Sequence, residues 1–96
     1  MLILVTYDVS TETSAGRKRL NKVAKKCTAY GQRVQNSVFE CNIAWDQYVT
    51  LQNELKNMIN PAEDSLRFYN LGNAYKEKVV HIGIKKSIPL EGELII

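Results

Sequence analysis

The chain opens on Met1-Leu-Ile-Leu-Val-Thr-Tyr-Asp8, a β-branched and aliphatic run with almost no polar interruption before its terminal acid. Successive side chains of a strand point to opposite faces, so a run without polar alternation suits a strand flanked on both sides. Residues 2–8 therefore read as a central strand, and the rest of the fold must be arranged around it. The acid at its end is the exception to the pattern. A carboxylate is costly to desolvate unless something pairs with it or binds it.

Ninety-six residues leave room for one domain, taken here as 1–96 with a core of 1–84 and a tail of 85–96. The hydrophobic fraction of 45% and charged fraction of 24% are ordinary for a soluble globular protein. No apolar run is long enough to span a membrane, and the first residues lack the pattern of a secretory signal, so a cytoplasmic protein is expected. Cys27 and Cys41 have no CxxC neighbour and no histidine spaced for a metal, and they read as buried, inert thiols.

Beyond the first strand, Thr13 or Ser14 caps a helix running to about Tyr30, with Leu20, Val23, Ala24 and Cys27 forming one apolar stripe. Gly31 is expected to end it in the left-handed conformation. Residues 32–43 form a second extended run whose two-residue phase breaks at Asn36-Ser37, by a bulge, a kink or a very short hairpin. Trp45, Tyr48, Val49, Leu55, Met58 and Ile59 mark a second helix with no evident amino-terminal cap, stopped by Asn60-Pro61. Residues 65–71 read as a third strand, Gly72-Asn73 as a loop and 79–84 as a fourth strand carrying His81, with a short apolar end at 93–96.

This β-α-β-α-β-β order predicts an α+β sandwich with both helices on one face of the sheet. Self-association would cover the other face. The apolar carboxyl end either folds back on its own sheet or adds a strand to a second copy.

Charge is uneven. Residues 1–36 hold seven basic side chains (Arg17, Lys18, Arg19, Lys22, Lys25, Lys26, Arg33) against Asp8 and Glu12, whereas residues 37–96 hold six basic against eight acidic. Such a half suits a polyanion, or is simply a solvated lysine-rich helix face.

Three roles are open to Asp8: a turn or capping aspartate, a phosphate-accepting aspartate, or a ligand for Mg²⁺ or Mn²⁺, hard cations that take carboxylate oxygens. The second lacks its companion acids and lysine. The third needs more than one carboxylate, which a two-fold axis beside Asp8 would supply. Arginine's planar fork suits phosphate better than a lysine does, favouring Arg17, Arg19 and Arg33, with Lys18 beside them. Tyr7 either hydrogen-bonds at the site or packs as a strand tyrosine, and Phe39 reads as core. His81, the single histidine, reads as structural.

Tyr7-Asp8-Val9 closing the first strand, Arg17-Lys-Arg19 opening the helix, and Arg33-Val-Gln-Asn-Ser-Val-Phe-Glu40 in the second run together resemble the small CRISPR-associated endonuclease family, the non-integrase subunit of the spacer-acquisition complex. The resemblance extends through Leu71-Gly-Asn73 to the closing Pro-Leu-Glu-Gly-Glu-Leu-Ile-Ile. It implies a ferredoxin-like fold in a symmetric homodimer whose carboxyl-terminal strand joins the partner's sheet. Asp8 matches the family aspartate that faces its symmetry mate and binds Mg²⁺ or Mn²⁺. Tyr7, Arg17, Arg19, Arg33 and Phe39 match positions implicated in catalysis or nucleic-acid handling.

The function implied is a metal-dependent endonuclease of spacer acquisition and antiviral defence. Its expected substrate is double-stranded DNA or single-stranded RNA, the Gln32–Glu40 stretch resembling family members that act on double-stranded DNA more than those that cut RNA. A non-enzymatic DNA scaffold for an integrase partner is the rival. A third reading, a ligand-sensing or RNA-recognition module on the same fold, is weak, because the neighbours Phe68 and Tyr69 point to opposite faces.

Overall fold

The structure is a computed structural model and describes residues 1–84. Its elements are β1 (Leu2–Asp8), α1 (Ser14–Tyr30), β2 (Gln32–Gln35), β3 (Val38–Asn42), α2 (Trp45–Met58) and β4 (Ser65–Asn70). The four strands form one antiparallel sheet in the order β2-β3-β1-β4, with β1 inside as its apolar composition requires. The order β-α-β-β-α-β is that of a ferredoxin-like α+β sandwich.

The element order differs from the expected one at two places. Of the alternatives at Asn36-Ser37 the run 32–43 takes the hairpin, which adds a strand: the chain reverses there, with a further irregularity between Arg33 and Gln35. Residues 79–84 form no strand, and Val80, Ile82 and Ile84 are 78%, 90% and 85% exposed. An extended segment becomes a strand only when a neighbour takes its backbone hydrogen bonds, and nothing among the described residues does so there. His81 is accordingly exposed, its ring within 3.0 Å of the Gly83 carbonyl. The tail expected at 85–96 lies outside the described residues.

The odd residues of β1 build the core. Ile3, Val5 and Tyr7 pack with Val23 and Cys27 of α1, Phe39 and Cys41 of β3, and Tyr48, Leu51 and Leu55 of α2, so both helices cover this face. The aliphatic side chains and Phe39 each contribute about 1.5–3 kcal/mol by leaving water. The apolar stripe of α2 departs in part from the expected one: Trp45 is 63% exposed and Val49 38%, while Leu51, which the periodicity did not mark, is fully buried. Cys27 and Cys41 are buried and free, and burial pushes their thiols up to about 12 and about 11.

Local chemistry sets the helix ends. Thr13 caps α1, its Oγ1 accepting the Gly16 N–H at 3.0 Å. Gly31 follows α1 in an extended conformation, not a left-handed one (φ −163°). Glycine is needed here for closeness, since a Cβ would lie 2.6 Å from Cys41 Sγ and 2.8 Å from Cys41 Cα. Ala44 offers α2 no capping oxygen, but the Gln47 side chain accepts the Ala44 N–H at 3.0 Å. No helix among the described residues is long and apolar enough to cross a membrane.

Candidate metal and phosphate site

Asp8 ends β1 on the even face, opposite the helices, and is exposed. The pairing of β1 with β3 runs only to Thr6 and Val38, where the Asn36-Ser37 reversal begins. On its other side Asp8 faces Ser65 of β4. The acid therefore projects from the sheet at the end of its innermost strand. Among the described residues its carboxylate makes no hydrogen bond and no ion pair. It is neither a turn-closing nor a helix-capping aspartate, which removes the blandest of the three roles.

Tyr7 points the other way. It is buried in the core, stacked on Phe39 with ring centroids 6.2 Å apart and planes at 24°. Its hydroxyl donates a long bond to the Asn36 carbonyl (3.4 Å), and its backbone N–H donates to the Ser37 carbonyl at 3.1 Å. Burial raises its phenol above the ordinary range, with Arg33 partly opposing. Tyr7 thus fixes the hairpin turn against the strand tip from behind, and the sheet separates its hydroxyl from Asp8.

The expected phosphate grips divide in the same way. Arg33 pairs with Phe39 across β2 and β3 and so lies on the helix side, its guanidinium 5.2 Å from the centre of the fully buried Phe39 ring. Its Nε is buried without a hydrogen-bond partner. Arg17 and Lys18 are exposed in the first turns of α1, where Arg17 donates to the Thr11 carbonyl at 3.0 Å. Arg19 is already engaged: its Nε meets Asp64 Oδ2 at 2.8 Å, and Glu63 lies 3.5 Å from its Nη2.

Asp64, which no sequence motif marks, organises this end of the molecule. Its side chain is wholly buried and accepts from Arg19, from the Ser10 N–H (3.0 Å) and from the Asn60 N–H (2.8 Å). Those bonds, led by the Arg19 guanidinium, hold its carboxyl down at about 2. The loop after Asp8, the start of α1 and the turn before β4 are tied to one another through it. Only its position just before a strand is visible in the sequence, since the partner arginine lies 45 residues away.

The profile of the family described as CRISPR associated protein Cas2 matches residues 1–79. The chain belongs to this family. Over 95 residues, 99% of each chain, it is 59% identical to the CRISPR-associated endonuclease Cas2 of Halalkalibacterium halodurans. Over the whole of both chains it is 56% identical to the CRISPR-associated endoribonuclease Cas2 of Chlorobaculum tepidum. The crystal structure of Streptococcus pyogenes Cas2 superposes with a TM-score of 0.75 at 53% identity, covering 86% of this chain and all of that one. The Cas2 resemblance drawn from Tyr7-Asp8-Val9 and the residues around Phe39 thus holds over nearly the full length.

Hard oxygen donors are what Mg²⁺ and Mn²⁺ take, and the unengaged Asp8 carboxylate is of that kind. No group of three or more His, Cys, Asp or Glu able to hold a metal occurs among the described residues. One protomer thus brings a single unengaged carboxylate to this strand tip, and a second copy would double the donor set.

Proposed function

We propose that this Cas2 protein is a metal-dependent endonuclease of CRISPR spacer acquisition, hydrolysing phosphodiester bonds of double-stranded DNA as a symmetric homodimer. The observation that carries the reading is the Asp8 carboxylate, exposed and without a partner among the described residues at the tip of an otherwise buried strand. Two copies related by a two-fold axis would bring two such carboxylates together to hold Mg²⁺ or Mn²⁺. When bound, that ion would activate water and offset charge on the scissile phosphate.

The chain's own residues do the rest. Tyr7 and Phe39 stiffen the strand end that carries the acid. Lys18, Lys22 and Lys25 lie at i, i+4 and i+7 on the exposed side of α1, without an ion-pair partner among the described residues, and add a positive field that favours a polyanion without touching the strand tip. Val80, Ile82 and Ile84 alternate at a two-residue period and are almost fully exposed, which suits a strand added to the sheet of a second copy.

The relatives' names divide between endonuclease and endoribonuclease, so the test offers both a DNA duplex and single-stranded RNA, with and without Mn²⁺. Metal-dependent DNA cleavage lost in Asp8→Asn supports the reading. Cleavage of RNA alone would replace the substrate, and cleavage that survives both chelator and the substitution would remove the site. The α1 lysines equally favour the scaffold role beside an integrase. A variant that loses cleavage yet binds DNA and supports integration as the parent does would assign it that role.

A further inference from the structure

Edge strand β4 carries a second functional group on the face of Asp8, and the inference drawn from it rests on the nuclease reading above. The β1–β4 register sets Asp8 opposite Ser65 and Thr6 opposite Arg67. Residues two apart on one strand share a face, so Arg67 is the diagonal neighbour of Asp8, a relationship that ordinarily puts Cβ atoms somewhat under about 7–8 Å apart. Arg67 is exposed. Its Nη1 donates to the Tyr69 hydroxyl at 3.1 Å, its Cζ lies 6.0 Å from the centre of that ring, and no carboxylate among the described residues pairs with it.

The chain's other three arginines are placed differently. Arg19 is engaged by Asp64 and Glu63, Arg33 lies behind the sheet on Phe39, and Arg17 bonds the Thr11 carbonyl at the start of α1. A guanidinium this near an acid would ordinarily close an ion pair and occupy both groups. Here Tyr69, next along the same face, takes the guanidinium instead, so within one protomer the acid and the arginine both stay available.

We propose that Arg67 is the guanidinium that grips the phosphate beside Asp8, and that Tyr69 is its positioning residue, holding the fork off the acid until nucleic acid arrives. The planar fork binds two phosphate oxygens at once, which an ammonium cannot do. The competing explanations are an edge-strand charge that blocks pairing with other chains, a role that lysine fills equally well, and a contact with the second copy that would cover this face.

The test compares Arg67→Gln, Arg67→Lys and Tyr69→Phe in the full chain. It reads binding of a nuclease-resistant DNA duplex in EDTA across a salt series, oligomeric state by light scattering, and Mn²⁺-dependent cleavage. The expected result is that Arg67→Gln weakens metal-free binding about 5- to 10-fold and flattens the log–log salt slope by about 0.9 for each phosphate no longer neutralised, at unchanged oligomeric state. Arg67→Lys restores most of the binding but leaves kcat at least about tenfold down, and Tyr69→Phe falls between.

Full rescue of cleavage by lysine overturns the proposal in favour of an edge charge. Loss of assembly in Arg67→Gln overturns it in favour of an interface residue. Unchanged binding, slope and cleavage in Arg67→Gln, beside an inactive Asp8→Asn, removes Arg67 and leaves the Asp8 reading standing. An active Asp8→Asn removes that reading instead, while the metal-free slope still reports on Arg67.

Discussion

The Arg19 guanidinium and the Asp64 carboxylate meet at 2.8 Å, with the acid fully buried and the arginine side chain 18% exposed. Removing one member of such a pair leaves the other uncompensated, which is more damaging than never having had the pair. Asp64→Asn should therefore lower the thermal midpoint by about 5–15 °C, the range expected when charge-assisted hydrogen bonds are removed from a domain of this size. Differential scanning calorimetry of the variant checks it. An unchanged midpoint would mean the buried network contributes nothing net.

The same carboxyl gives the fold an acid limb. Its value of about 2 in the folded protein lies below the ordinary value of about 3.9. A depressed carboxylate contributes stability that is fully present above its unfolded value and is lost as pH falls through the folded one. Urea midpoints should hold steady above about pH 5 and fall between about pH 4 and pH 2. In Asp64→Asn the part of that fall due to this group should be missing.

Gly31 joins α1 to β2 where the chain passes Cys41 of the neighbouring strand. A Cβ at 2.6 Å from Cys41 Sγ cannot be accommodated without moving β3 or the end of α1. Gly31→Ala is expected to cost about 1–3 kcal/mol in denaturant titrations, the usual range for overpacking a core. Its φ of −163° is open to any residue, so backbone strain plays no part.

Both thiols should be unreactive while the protein is folded. Cys27 and Cys41 are fully buried, and desolvation holds them at about 12 and about 11, so almost no thiolate exists near neutral pH. Alkylation followed by mass spectrometry should show no label in buffer and labelling of both cysteines in denaturant. Rapid labelling of either cysteine in the native protein would contradict the packing of α1 on β3.

Much of this architecture is legible in the sequence because local pattern and burial agree. The unbroken run ending at Tyr7 demands an inner strand, the Val23 and Cys27 stripe demands a helix on one face, and Thr13 marks where that helix begins. Expectation and structure part where partners are distant. Asn36-Ser37 allows a bulge or a hairpin, and only β1 lying alongside β3 decides for the hairpin. The alternation along residues 79–84 suits a strand, but a strand needs an edge to join.

At the site, Asp8 is visible as a polar residue out of place, whereas residue type within the basic first half singles out Arg17, Arg19 and Arg33. Sequence cannot say that Arg19 is consumed by Asp64 or that Arg33 faces the helices. Arg67 does not stand out, because its alternation with Phe68 along a strand already explains it.

Two Asp8 carboxylates sharing one ion across a two-fold axis form the heart of the proposed nuclease. Crystals of the homodimer soaked in Mn²⁺, measured at the manganese absorption edge, test that arrangement most directly. A single anomalous peak on the axis between the two acids, absent in Asp8→Asn, is the predicted result. A dimer whose eighth residues lie far apart, with manganese elsewhere or nowhere, would contradict it.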